Sequence, residues 1–220
     1  CFGGPDNALD SFSDVQKAIN FTMTSFLTTG GIRGGSEKIG KFQPRSFNMG
    51  LSAKAFLASG GFGNIHPGED PDLSIRLWQM GFETRLFPTV YVYHKRRIDW
   101  EKFYKQVNKF GKARPILNSW YPKYNKITFL FPTLFLLGFA FSITLAFVGI
   151  PFFLLCYAFY FLLLWIVATL QTNLKIGALA VQATIIQFYG YGLGYLVSFW
   201  KVRFLKQKPH EAFPELFFKR

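Results

Sequence analysis

Residues 127–200 of this 220-residue chain carry one charged side chain, Lys175. No other feature narrows the possible folds as much. A helix or strand of a water-soluble core shows polar positions every few residues. A stretch with a single charge does not allow that, so it reads as membrane. Uncharged runs of at least ~18 residues can cross the ~30 Å hydrocarbon layer as helices. Three runs fit, at 127–149, 151–170 and 176–200. Gly149, Ile150 and Pro151 turn the first into the second, and residues 171–175 separate the second from the third. The third holds Gln182, Gln187 and the run YGYGLGY, which leaves open packing against protein or re-entry in place of a full crossing.

The chain divides around this stretch into residues 1–98, a basic amphipathic segment 99–126, the apolar region 127–200 and a basic tail 201–220. Residues 1–126 hold 18 Lys+Arg against 10 Asp+Glu, within a net charge of +13. Ten bases and two acids crowd residues 95–126, directly before the first apolar run. That position favours anionic lipid head groups as partner. Nucleic acid is not expected, because no binding module for it is spelled out. The positive-inside rule places residues 1–126 in the cytoplasm. Three full crossings would then put Lys201, Arg203, Lys206 and Lys208 on the far side, against the same rule. Cys1 and Cys156 make no disulfide framework, consistent with a reducing face.

In the soluble part, DSFSDVQKAINFTMTSFL has capping residues followed by Val15, Ile19 and Phe26 at near-helical spacing. Five glycines in residues 30–40 suggest a surface loop, without the order of an ATP-binding phosphate loop. A strand is expected at 47–49 and a helix at 52–58, ended by Gly60 and Gly61. HPGEDPDLSIRLWQMGFE then sets three of the chain's 12 acids, Glu69, Asp70 and Asp72, at one helix entrance. Pro71 suits the first turn, Glu69 or Asp70 the cap, and Gly81 the end. Asp72 should face solvent or a neighbouring base. TRLF and TVYVYH read as strands, the second with Val90, Val92 and His94 on one face. Residues 99–114 form an amphipathic helix. Trp100, Phe103, Tyr104, Val107 and Phe110 lie on one side, and Lys102, Lys105, Lys109 and Lys112 on the other. Pro115 should end it, and its apolar side should rest in the membrane interface or on the soluble part.

The ordered stretches FNMG (47–50), GGF (60–62), GEDPDLSIRLWQMGF (68–82), YVYHKRR (91–97) and KQVNKFGKAR (105–114), followed by apolar spans, carry a resemblance. They resemble the C-terminal half of a membrane-bound family 2 glycosyltransferase. The resemblance implies an α/β fold, the acceptor-side part of a GT-A nucleotide-diphospho-sugar transferase domain (a three-layer αβα sandwich), followed by transmembrane helices. It also implies a nucleotide-diphospho-sugar donor, a divalent cation (Mg or Mn) and inverting transfer. Such a transfer needs a carboxylate to take the proton of the attacking hydroxyl. That role falls on Asp70, with Glu69 orienting it or binding acceptor. His94 matches a metal-contacting His, and Asn48, Arg96 and Arg97 are candidate substrate-binding residues. Gln106, Lys109 and Phe110 stand where polymer-making relatives carry Gln-x-x-Arg-Trp. Lys does not replace Arg in a forked phosphate contact. Single transfer to a lipid-linked or glycan acceptor is therefore expected over processive polysaccharide synthesis. Arg76 is expected to be structural and Arg114 to meet lipid phosphate. An Asp-x-Asp donor motif does not occur, so the donor half is expected upstream of Cys1 and this stretch alone is expected to be inactive. The setting implied is bacterial surface glycan synthesis, by a multi-pass protein of the inner membrane. Two rivals remain: a membrane scaffold whose acids only cap a helix, and a metal-dependent hydrolase built on Glu69, Asp70, Asp72 and His94.

Overall fold

A computed structural model describes residues 1–30 and 41–218. All of the expected glycine-rich loop except Gly30 lies outside them. Two short strands, β1 (Phe2–Gly3) and β2 (Asp6–Asn7), open the chain. They are followed by α1 (Asp14–Thr24), α2 (Phe26–Thr29), β3 (Met49–Gly50), α3 (Ala53–Ser59), α4 (Glu69–Gln79), β4 (Arg85–Leu86) and β5 (Val92–Tyr93). β1 pairs antiparallel with β3 and parallel with β4, and β2 pairs parallel with β5. Strands of two residues do not make the sheet layer of the expected sandwich. Among the described residues helices dominate. α1 starts on a capping box, Ser13 and Gln16 each bonding the other's backbone N–H, which satisfies two orphan donors of the first turn.

Next come α5 (Trp100–Trp120), α6 (Phe131–Phe147), α7 (Phe152–Gln171) and α8 (Leu174–Phe199). Asp99 caps α5, accepting from the Lys102 N–H at 2.7 Å. Pro115 lies inside α5 and does not end it. A proline removes one helical N–H bond, but Ile116 and Leu117 just beyond it are buried. Packing of an apolar face outweighs local propensity here. That face is also not turned to lipid. Phe103 and Val107 close on Ile19 and Met23 of α1 and on Ala183 of α8, with Phe110 against the same cluster. Of the two places expected for that side, the membrane interface and the protein, the structure shows packing on protein.

The clasp is tight. A Cβ on Gly111 would lie 2.1 Å from the Tyr191 carbonyl oxygen, and one on Gly194 2.3 Å from that of Asn108. Only glycine lets the two backbones approach so closely. The Asn108 side-chain amide uses that proximity to donate to the Gly190 carbonyl at 3.0 Å.

Among the described residues three helices are long and apolar enough to cross a membrane: Ile127–Phe147, Phe152–Gln171 and Leu174–Phe204. The first two bury 11% of their apolar window against protein, the third 50%. Both ends of that third helix return to the soluble part. At its start Lys175 Nζ pairs with Asp14 Oδ2 of α1 at 2.7 Å. After its end a π-helical turn (Trp200–Phe204), α9 (Pro209–Ala212) and a 3-10 turn (Pro214–Leu216) bring the tail back. There the His66 N–H donates to the Leu216 carbonyl at 2.7 Å. Half of the third helix's apolar window is packed on protein, the packing that its Gln and Gly residues left open. A helix that crosses holds its ends a bilayer apart, whereas one lying along the protein would keep the tail bases on the side of residues 1–126, in line with the charge rule. In a background with Cys1→Ser and Cys156→Ser, Ser11→Cys and His210→Cys should react with an impermeant maleimide from the same side of sealed vesicles. Labelling from opposite sides would mean that α8 crosses.

Candidate active site

The acids at the head of α4 do not cap it. The N-cap is Gly68, at φ 134°, which has no side chain to cap the first turn. Each carboxylate reaches elsewhere. Glu69 Oε2 accepts the Gly68 N–H at 2.8 Å, and Oε1 meets His66 Nδ1 at 3.0 Å. Asp72 is 4% exposed, so it faces a base and not solvent. It takes Arg76 Nη2 at 2.7 Å and the Tyr121 hydroxyl at 2.6 Å. Arg76 donates onward to the carbonyls of Ser59 and of Gly61, the latter at 2.7 Å. Arg76 and Asp72 thus lock the GGF loop beneath α4, a structural duty for both.

Asp70 faces away from this lock and accepts the Ser46 N–H at 3.0 Å. That N–H is offered by a tight turn at 45–48, closed by the Asn48 N–H on the Arg45 carbonyl at 2.8 Å. The Asn48 side-chain amide donates to the Val90 carbonyl at 2.9 Å and fixes the turn to the β5 approach. His94 stacks on Phe47 of the same turn, with ring centres 4.0 Å apart. One turn therefore gathers Asp70, Asn48 and His94. Asn48 serves it as a brace, its NH2 already committed to backbone.

Burial pushes the Asp70 carboxyl above its ordinary 3.8. The Arg45 charge pulls it down, the neighbouring Glu69 raises it and the Ser46 contact lowers it, but desolvation outweighs the opposing pulls. A half-buried carboxylate with raised proton affinity has the property a general base needs. Arg45 was not singled out by sequence. Its charge is felt at Asp70, Arg96 and Arg114. The one available signal was a cation directly ahead of SFNMG.

Arg96, a candidate substrate contact by sequence, lies in the core. It is 5% exposed and its Nη2 meets Asp6 Oδ2 at 2.7 Å, with both side chains buried. Its Nε donates to Asn20 Oδ1 at 3.2 Å, and its carbonyl accepts from Gln16 Nε2 at 2.9 Å. Arg97, next to it, is exposed. Gln106, Lys109 and Phe110 are half-buried on α5. Phe110 packs against the cluster with α1 and α8. Lys109 adds its charge near Glu215 of the tail. Among the described residues no group of three His, Cys, Asp or Glu side chains could hold a metal ion. His94 stands there without two more His, Cys, Asp or Glu side chains to complete such a group. An aromatic cleft of about 360 Å³ lies between Trp78, Gln79 and residues 120–124. Gln79 follows Asp70 by nine positions, which at ~100° per residue puts it on the opposite face of α4.

A carboxylate of raised proton affinity, braced by a turn and carried on a body clasped to apolar helices, fits a group-transfer enzyme working beside a membrane. The chain belongs to glycosyl transferase family group 2, whose profile matches residues 46–204. The match takes in α4, α5 and the three apolar helices and ends before the tail that returns to His66. Comparison with curated proteins and with solved structures gave no match.

Proposed function

We propose that this protein transfers a sugar, with inversion, from a nucleotide-diphospho-sugar to a membrane-associated acceptor, lipid-linked or glycan, in bacterial surface glycan synthesis. The observation that carries the reading is the unequal use of the three acids. Glu69 and Asp72 are each paired with a basic side chain, whereas Asp70 holds a backbone N–H and keeps a raised proton affinity. Asp70 takes the proton of the acceptor hydroxyl as its oxygen attacks the anomeric carbon. The bond to the diphosphate oxygen breaks on the opposite face of the sugar. Negative charge growing on the diphosphate calls for cations; Arg45, felt at Asp70, and the exposed Arg97 are the candidates of this chain. Family resemblance adds Mg or Mn, with His94 as the residue nearest to that role. In this reading the soluble part belongs to a GT-A domain on the cytoplasmic face of a bacterial inner membrane. The α6–α7 hairpin is its anchor there. Phe110, packed against the cluster with α1 and α8, supports single transfer over processive synthesis.

The test uses membranes from cells that make the protein from its complete gene, with any donor half encoded upstream of Cys1, against membranes that lack it, with radiolabelled UDP-, GDP- and dTDP-sugars. Label from one donor should pass into a solvent-extractable product. No transfer from any donor would overturn the reading. Lipid cleavage without a sugar nucleotide would point instead to a hydrolase on the same acids.

A further inference from the structure

The family profile stops at residue 204, yet the tail beyond it is seated more firmly than a solvated basic tail needs to be. Phe213 and Leu216 are 2% and 1% exposed, buried with Ile65, Ala113 and Ile116. Ile65 and Phe217 form an antiparallel bridge, beside the bond from the His66 N–H to Leu216. Lys112 Nζ pairs with Glu215 Oε1 at 2.9 Å, and Phe217 packs edge-on to Trp120. The segment so gripped leads straight into the acids. His66 touches Glu69 at 3.0 Å, and Asp70 is the next residue.

This grip meets a need. The connection from α3 to α4 contains Gly60, Gly61, Gly63 and Gly68, three of them at positive φ, and glycine-rich backbone is intrinsically loose. Arg76 and Asp72 lock the GGF end of this connection, and the tail grips its other end at Ile65 and His66, just ahead of the first turn of α4.

We propose that the C-terminal tail is a strap that positions Asp70, with Phe213 and Leu216 as its positioning residues, acting through Ile65, His66 and Glu69. The activity part of this inference rests on the transferase reading above. A base displaced by ~1 Å loses about 100-fold in rate, so the strap should show in turnover more than in substrate affinity.

The experiment compares the full chain, a chain ending at Lys208, Leu216→Ala and Leu216→Met. Amide hydrogen exchange is read over residues 64–70, with α5 as internal control, and sugar transfer is read in the same membranes. The truncated chain should exchange faster at 64–70, with α5 still protected. Its kcat should fall about 10- to 100-fold with donor KM unchanged. Leu216→Ala should change in the same sense and Leu216→Met stay close to wild type. A synthetic peptide of residues 209–220 should restore both protection and turnover. Unchanged exchange at 64–70 in the truncated chain overturns the strap. Faster exchange with unchanged kcat overturns its positioning role. Should the wild-type membranes transfer no sugar, the transferase reading fails and the positioning role fails with it. Exchange and peptide rescue would then still decide whether the tail holds the loop.

Discussion

Asp70→Asn is expected to lower sugar transfer by about 10²–10⁴-fold, the usual worth of a general base, while the melting temperature stays level or rises. The new side chain has nearly the same shape, and its Oδ1 can still accept the Ser46 N–H now bonded at 3.0 Å. Among the described residues Asp70 makes no ion pair that the change would remove. The stability sign follows from the direction of the shift. Burial raises the folded pKa of Asp70 above 3.8, so the fold favours the neutral acid over the carboxylate. Its stabilising contribution is present in acid and is lost as pH rises through the folded pKa. At neutral pH the wild-type carboxylate is a burden that a neutral amide removes. The acid limb of the wild-type pH–rate profile should therefore lie above 3.8. Transfer assays and thermal melts of the same preparations check both halves. Near-normal transfer with unchanged melting would leave the scaffold reading in possession of the field.

Arg96→Ala is expected to act in the opposite way, through the fold. It would strand the Asp6 carboxylate, whose side chain is 4% exposed in the pair. Breaking a buried pair from one side costs about 3–5 kcal/mol. In a chain of this size that is a fall in melting temperature of roughly 6–20 °C. Arg97→Ala, on an exposed neighbour, should stay within about 0.5 kcal/mol. Replacing both partners, as Asp6→Leu with Arg96→Met, should recover much of the loss, because no charge is then left buried. A normal melt for Arg96→Ala with a raised donor KM would return Arg96 to the binding role its motif suggested.

The contrast between these two residues shows what the sequence could and could not carry. α4 was legible because its apolar spacing and its closing residues are local. The duties of its acids were not, since they depend on partners brought from afar: Ser46 for Asp70, and Tyr121 for part of Asp72. A cap was the sensible local expectation, and distant contacts displaced it. Arg96 sat in a basic run at a strand end, the pattern of a phosphate contact, but Asp6 lies 90 positions earlier in the chain. Pro115 failed as a stop signal because burial of Ile116 and Leu117 beyond it decides the matter. The apolar helices stood out from composition alone. For α8, Gln182, Gln187 and the glycines had left packing against protein open, whereas the seat of the tail was not foreseen, although Phe213, Leu216 and Phe217 are an odd set for a freely solvated basic tail.

The glycine-to-carbonyl fit between α5 and α8 bears on which acceptors can be used. With no slack between those backbones, and with α8 tied down at both ends, the carboxylate cannot bob relative to the greasy surface of the α6–α7 hairpin. In the proposed enzyme its height above the lipid is set by backbone packing. Selection among acceptors then becomes partly a matter of depth. A hydroxyl carried at the right elevation by its anchor can be deprotonated, and the same hydroxyl one sugar higher or lower is out of reach.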